Sequence, residues 1–235
     1  GDVGVDLALV GSRAYSTNTL EWGWIPSPLP GIYTGGGMLQ EYRDWLGADS
    51  YEAIGSIGGS LATDNIEEYY VNPFELGYGF YIGWKTDFIG KDALVKMKDQ
   101  KNRQKVTLEW NRDDLLKVVA SSFEEGVPYK WIDFPQPNYA STNADVLLNG
   151  KKPAGISMFN GYSFNERCML SLAIVNDDVN IGDQLTLIWG EPQQTGKTST
   201  EPHRQAEIRV RVSPTPYSRE ARENYADSWR TKSGK

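Results

Sequence analysis

Gln205-Ala206-Glu207-Ile208-Arg209-Val210-Arg211-Val212 alternates residue by residue: Ala206, Ile208, Val210 and Val212 are apolar, and the residues between them are charged. A period of two puts one set on each face of a strand, so this segment is expected to cover a core with one side and meet water with the other. Working back, Gln184 to Trp189 and Cys168 to Val175 read as further strands. Asp145 to Leu148 leads into Asn149-Gly150, a dipeptide that favours the tight turn of a hairpin, and Pro153 to Phe159 is the return strand. Strands left open would expose unpaired amides and carbonyls at two edges. Closure into a small antiparallel β-barrel over 145–217 removes them.

Upstream the pattern is mixed. Asn111 is placed to cap a helix from Arg112 to about Phe123, with Asp113 and Asp114 in the first turn where the helix dipole favours negative charge, and Gly126 ends it. Val106 to Trp110 reads as a strand, and Asp92 to Lys101 as a helix packed through Leu94 and Met97. Met38 to Leu46 carries Leu39, Tyr42 and Leu46 at helical spacing, and Asn65 to Tyr70 adds a helical turn. Tyr78, Phe80 and Trp84 alternate with small or apolar residues, which predicts a strand over Leu76 to Trp84. Trp22 to Gly37 is an ordered loop, because Pro26, Pro28 and Pro30 bar regular structure while its tryptophans supply surface to pack. The Pro-rich, aperiodic stretch 127–144 is expected to be a linker between a first domain, 1–126, and the barrel, followed by a tail over 218–235 with one helix, Ser218 to Trp229. The fold class is α+β. Gly1 to Val10 reads like the tail of an element already under way, as expected of a polypeptide with residues before it.

Composition narrows the function. With 235 residues, 39% of them apolar, the chain is long enough to bury a sizeable core. Apolar runs such as Leu185 to Trp189 fall far short of the ~20 residues that cross a bilayer, so no membrane role is expected and the cytoplasm is the expected location. A net charge of −7 argues against nucleic acid, whose binding needs clustered Lys and Arg. Between Arg43 and Lys85 every charged residue is acidic, and without metal-loop spacing this reads as a solvated face. The single cysteine, Cys168, is expected to fill core, and the single histidine, His203, to be an ordinary strand-edge residue. One His and one Cys leave too few ligands for a zinc site, and nothing around His203 resembles a nucleophile elbow. Gly77-Tyr78-Gly79 lacks the third glycine of a dinucleotide fingerprint, and Gly90-Lys91 is followed by Asp92 where a P-loop needs Ser or Thr.

The stretch Gly11-Ser12-Arg13-Ala14-Tyr15-Ser16-Thr17-Asn18-Thr19-Leu20-Glu21-Trp22-Gly23-Trp24-Ile25-Pro26-Ser27-Pro28-Leu29-Pro30 resembles a signature of tetrahydrofolate-dependent aromatic O-demethylases of the vanillate and syringate type. These are similar in fold to the aminomethyltransferase (T-protein) of glycine cleavage and to dimethylsulfoniopropionate demethylase. Pro73 to Gly79, Asp87 to Leu94 and Glu201 to Tyr217 extend the likeness along the chain, and Gly-x-Arg and Leu-Glu-x-Gly look like the T-protein pattern with two more residues between them. The resemblance implies the C-terminal portion of a folate-binding aminomethyltransferase-like domain followed by the barrel. It implies transfer of a methyl group from a methoxyaromatic acid to tetrahydrofolate, giving 5-methyltetrahydrofolate. It matches Tyr15 to the catalytic tyrosine and Trp24 to a folate contact. Arg13 and Glu21 match the general signature as further cofactor-binding candidates, although they could equally hold the loop through a salt bridge. The family's other functional groups belong to an N-terminal half outside this sequence, so a second half or another chain is an expected partner. An aminomethyl or sulfonium substrate, or a non-catalytic interaction module, are the alternatives.

The chemistry suits the residue types. A departing phenolate oxygen needs a proton or a strong hydrogen bond, and a phenol, with an ordinary pKa of ~10, is a neutral donor at pH 7. An indole face suits a flat pterin or benzoyl ring.

Overall fold

The computed structural model describes residues 9–135, 142–193 and 200–224. Six strands, β1 (Gln104–Trp110), β2 (Asp145–Asn149), β3 (Lys152–Ser163), β4 (Cys168–Val175), β5 (Gln184–Trp189) and β6 (Ala206–Ser213), pair antiparallel into a closed barrel in the order β1-β4-β3-β2-β5-β6. β6 shows the alternation read from its sequence, with Glu207, Arg209 and Arg211 exposed and the intervening residues buried. β4 instead buries both faces. Met169, Ala173 and Val175 join the barrel interior, while Leu170, Leu172 and Ile174 point outward under a second layer, which is why it reads as a nearly continuous apolar run. The interior is filled by Leu108, Leu147, Leu185, Leu187 and Ile208, and by Trp110 and Trp189 packed edge-to-face at 5.5 Å. Both buried indoles are satisfied: Trp110 Nε1 donates to Ser171 Oγ and Trp189 Nε1 to the Lys130 carbonyl.

The barrel begins earlier than the sequence suggested. β1 lies between β4 and β6 and closes the ring, so the 145–217 boundary is corrected to start at Gln104. Helix α5 (Arg112–Ala120) follows it, capped by Asn111 Oδ1, which accepts from the amides of Asp113 and Asp114 as expected. Nor do the described residues of 127–144 behave as a linker: Ile132 is fully buried in the interior cluster, and Tyr129 bridges to Arg204. Residues 136–141 of that stretch lie outside the described residues.

The second layer, 9–103, contains α1 (Ser12–Trp22), α2 (Met38–Trp45), α3 (Tyr51–Ile54) and α4 (Lys91–Lys98). α2 and α4 fall where helical spacing placed them, and a 3-10 turn covers Ile66–Tyr69. The strand expected over Leu76 to Trp84 is absent. Turns and a short 3-10 segment, Gly79–Tyr81, take its place, because Gly77 adopts φ +76° and the segment meets no partner strand. Of the expected C-terminal helix, Glu220–Asn224 forms one π-type turn, and 225–229 lie outside the described residues, as do 1–8. Among the described residues, no helix is long and apolar enough to cross a membrane.

Candidate active site around Tyr15 and Trp24

Ser12 to Thr19 looks too polar for a packed helix, yet α1 forms there. Ser16, Thr17 and Thr19 are buried, and each hydroxyl donates to the carbonyl four residues back, at 2.9, 2.9 and 3.1 Å. Those bonds let small polar side chains lie against the barrel without leaving a donor unmet. Leu20 and, beyond the helix, Ile25 anchor the segment on the outward residues Ile156, Met158, Phe159 and Leu172. A shift in pairing register between Ser157 and Phe159 of β3 lets both Met158 and Phe159 reach that outer cluster.

Gly23 ends α1 in the left-handed conformation (φ +77°), donating its amide to the Thr19 carbonyl. A Cβ there would sit 2.2 Å from Thr215 Oγ1, so the position requires glycine on two grounds. The reversal carries Trp24 back along the helix to Tyr15. Their rings meet edge-to-face with centroids 6.0 Å apart and planes at 69°, within the favoured range for aromatic pairs. Tyr15 is 52% exposed and Trp24 half-buried. The two leading candidates, nine positions apart in sequence, thus form one aromatic pair at the surface of α1.

The other two candidates are placed elsewhere. Arg13 is exposed, whereas Glu21 is buried on the barrel side. Among the described residues no ion pair joins them. Glu21 Oε1 accepts from Ser163 Oγ at 2.5 Å, and Asn165 Nδ2 donates to both carboxylate oxygens, so this side chain fastens α1 to the β3–β4 turn. The Glu21 carbonyl also accepts from the Ser218 amide. One residue before Ser218, Tyr217 donates its hydroxyl to Glu109 Oε2 at 2.9 Å. Burial alone would raise the Glu109 carboxyl, but hydrogen bonds from Arg211 and Tyr217 outweigh it and hold the group below its usual range. The C-terminal end of α1 is therefore pinned from two sides, and with it the Gly23 reversal that positions Trp24.

Sequence reading missed these supports. Their only signal is a carboxylate, Glu21, beside a run of hydroxyls, which reads like any water-facing helix side until the helix is packed. His203 also departs from expectation: its side chain is only 9% exposed and lies 3.6 Å from Glu191. Cys168 is half-buried beside Tyr217, and burial pushes its thiol up to about 11.

Known proteins resemble this chain in sequence. Over 228 residues the chain is 46% identical to syringate O-demethylase from a Sphingobium species, spanning 96% of this chain and 49% of that protein. It is 33% identical over 171 residues to sesamin methylene transferase from a Sinomonas species, 68% of this chain and 35% of the relative. Aminomethyltransferase from Thermotoga maritima is 29% identical over 118 residues, 50% of this chain and 26% of the relative. The chain is thus similar in sequence to proteins named as an O-demethylase, a methylene transferase and an aminomethyltransferase. It spans about half the length of syringate O-demethylase and smaller shares of the other two. No family model matches it.

Proposed function

We propose that this chain is the barrel-bearing half of a tetrahydrofolate-dependent O-demethylase that takes the methyl group from a methoxyaromatic acid of the syringate or vanillate type. The observation that carries the reading is the Tyr15–Trp24 pair, on a helix whose far side is locked to the barrel. Syringate O-demethylase, alike over nearly the whole chain, supports the reaction class.

A flat ring system fits the residues present, since Trp24 offers an indole face beside a phenol and the pair lies at the molecular surface. Tetrahydrofolate, when bound, supplies the nitrogen that accepts the methyl group. Trp24 holds a ring by its face. Tyr15 Oη donates a hydrogen bond or proton to the phenolic oxygen as its bond to the methyl carbon breaks, so that negative charge does not build up unneutralised. The Glu21 clamp and the Gly23 reversal keep the two groups in one geometry, and such orientation lowers the barrier without any change of mechanism.

The remaining half of the site is assigned to a second polypeptide region, matching the part of syringate O-demethylase that this chain does not span. Two features favour it. α2, α3 and α4 bury no residue, and Met38, Trp45, Tyr51, Ile54, Phe80 and Ile89 stand 68–92% exposed in the same layer. Apolar side chains this exposed in one layer support a second surface lying against it.

The decisive assay uses the chain extended to the length of syringate O-demethylase, with tetrahydrofolate and syringate or vanillate, and measures 5-methyltetrahydrofolate. Tyr15→Phe is expected to lower kcat by about 100-fold or more, the scale of lost acid–base catalysis, while folate affinity stays within about threefold. Equal turnover in Tyr15→Phe removes Tyr15 from the mechanism. The similarity to sesamin methylene transferase favours one second reading, a methylenedioxy-bearing substrate. Including sesamin in the substrate panel distinguishes the two.

A further inference from the structure

Away from α1, four ionisable side chains converge where the glycine turn of the second layer meets the barrel rim. Asp145, at the start of β2, is 3% exposed, and its Oδ1 accepts from the Ser60 amide at 3.1 Å. Ser60 Oγ donates to the Ile188 carbonyl at 2.6 Å and accepts from the Val146 amide at 2.8 Å. One residue earlier, the Gly59 amide donates to Glu191 Oε1 at 2.9 Å. Gly59 has φ +98°, and a Cβ would lie 2.3 Å from the Ala144 carbonyl oxygen, so the turn approaches β2 as closely as backbone allows. Lys130 Nζ, from the stretch after α5, also donates to Glu191 Oε1, at 2.5 Å. Glu191 Oε2 is buried without a hydrogen-bond partner, and His203 Nε2 lies 3.6 Å from it.

Charge in this knot balances in only one way without a further proton. With Asp145 neutral, Lys130 offsets Glu191. An ionised Asp145 adds a second buried negative charge facing one lysine. We propose that Asp145, Glu191, Lys130 and His203 form a proton-dependent latch: a protonated Asp145 holds the 58–60 turn on the barrel rim, and loss of that proton loosens it. Burial raises the Asp145 carboxyl to about 7, against the attraction of Lys130 and the Ser60 hydrogen bond and with Glu191 adding repulsion.

The latch reaches the loop after α1. Backbone hydrogen bonds join the turn to the segment before β2: the Gly58 amide donates to the Thr142 carbonyl and the Ala144 amide to the Gly58 carbonyl. Ala144 packs against Leu29, five residues after Trp24, and Thr142 Oγ1 donates to the Ser27 carbonyl. Opening the turn therefore loosens the segment that carries Trp24, whatever that segment binds.

The sign follows from linkage. The folded carboxyl lies above its ordinary 3.8, so the holding energy is complete below that value and is lost as pH rises through about 7. Hydrogen exchange at the Gly59 and Ser60 amides of the 235-residue chain, corrected for intrinsic rates, tests this between pH 5 and 8. The opening equilibrium is expected to rise by up to about tenfold per pH unit and level off above pH 7, and to stay flat in Asp145→Asn. Equal slopes in the two proteins overturn the latch. Should the variant not fold, carboxyl-carbon NMR of the unsubstituted chain decides, with an Asp145 midpoint near 7 supporting the latch and one near 4 overturning it.

Discussion

The barrel and the layer laid over it are built on opposite terms. The barrel, 104–213, closes its own hydrogen bonding and fills its interior with side chains such as Leu108, Leu187 and Ile208, none of them more than marginally exposed. The layer, 9–103, meets the barrel through Leu20 and Ile25 on the outer face of β3 and β4 and has a small cluster of its own around Leu29 and Tyr69, while its α2, α3 and α4 contribute no buried residue. A closed barrel is self-sufficient because no edge is left to pair. An open layer of short helices is not, and its order depends on what it touches. The Tyr15–Trp24 pair sits where the two meet, on the one helix of the layer fastened to the barrel.

The largest effect tests that asymmetry directly. Leu187→Ala, in the interior, is expected to cost about 2–5 kcal/mol in urea unfolding, whereas Trp45→Ala on α2, at 78% exposure, is expected to stay within about 0.5 kcal/mol. Comparable losses at the two positions would end the distinction. It sharpens if the extended polypeptide is compared, where Trp45→Ala should cost about 1 kcal/mol or more once that face is covered. Next in size is the seam. Glu21→Ala leaves the Ser163 hydroxyl and the Asn165 amide without their acceptor, a loss of about 1–3 kcal/mol. Glu21→Gln, which keeps one carbonyl oxygen, should recover part of it, and a Gln variant as unstable as the Ala variant would point to charge as the main requirement.

How much of this could be read in advance follows the same division. β6 declared itself because its outer face meets water, and β4 because both faces are covered. β1 was legible as a strand but not as a barrel member, since a pattern of inward residues does not say which strands will flank it. The aromatic alternation of Tyr78, Phe80 and Trp84 imitates a strand, and only the missing neighbour shows otherwise. α1 was hidden for a chemical reason: its packed face is Ser16, Thr17 and Thr19, whose hydroxyls satisfy themselves on the helix backbone and so erase the apolar period. Tyr15 and Trp24 were picked out through resemblance alone. Their meeting depends on a left-handed glycine, and Glu21, a cofactor-binding candidate in the sequence, fastens α1 to the β3–β4 turn.

The smallest predicted effect separates the two regions by pH. Asp114 of α5 accepts from Arg209 Nε at 2.7 Å, from its second guanidinium nitrogen at 3.0 Å and from its backbone amide at 3.1 Å, tying the helix to β6. Those bonds, led by the Arg209 side chain and opposed by burial, lower the Asp114 carboxyl from 3.8 to about 2. The folded value lies below the ordinary one, so this fastening is complete above pH 4 and is lost as pH falls through 3.8 toward 2. Asp145 carries the reverse sign, weakening as pH rises. Asp114→Asn should therefore lower Tm at pH 7 and lose most of that deficit by pH 2, where the unsubstituted carboxylate is about half protonated in the folded chain and protonated in the unfolded one. A deficit unchanged from pH 7 to pH 2 would mean that shape, and not charge, holds α5 to β6.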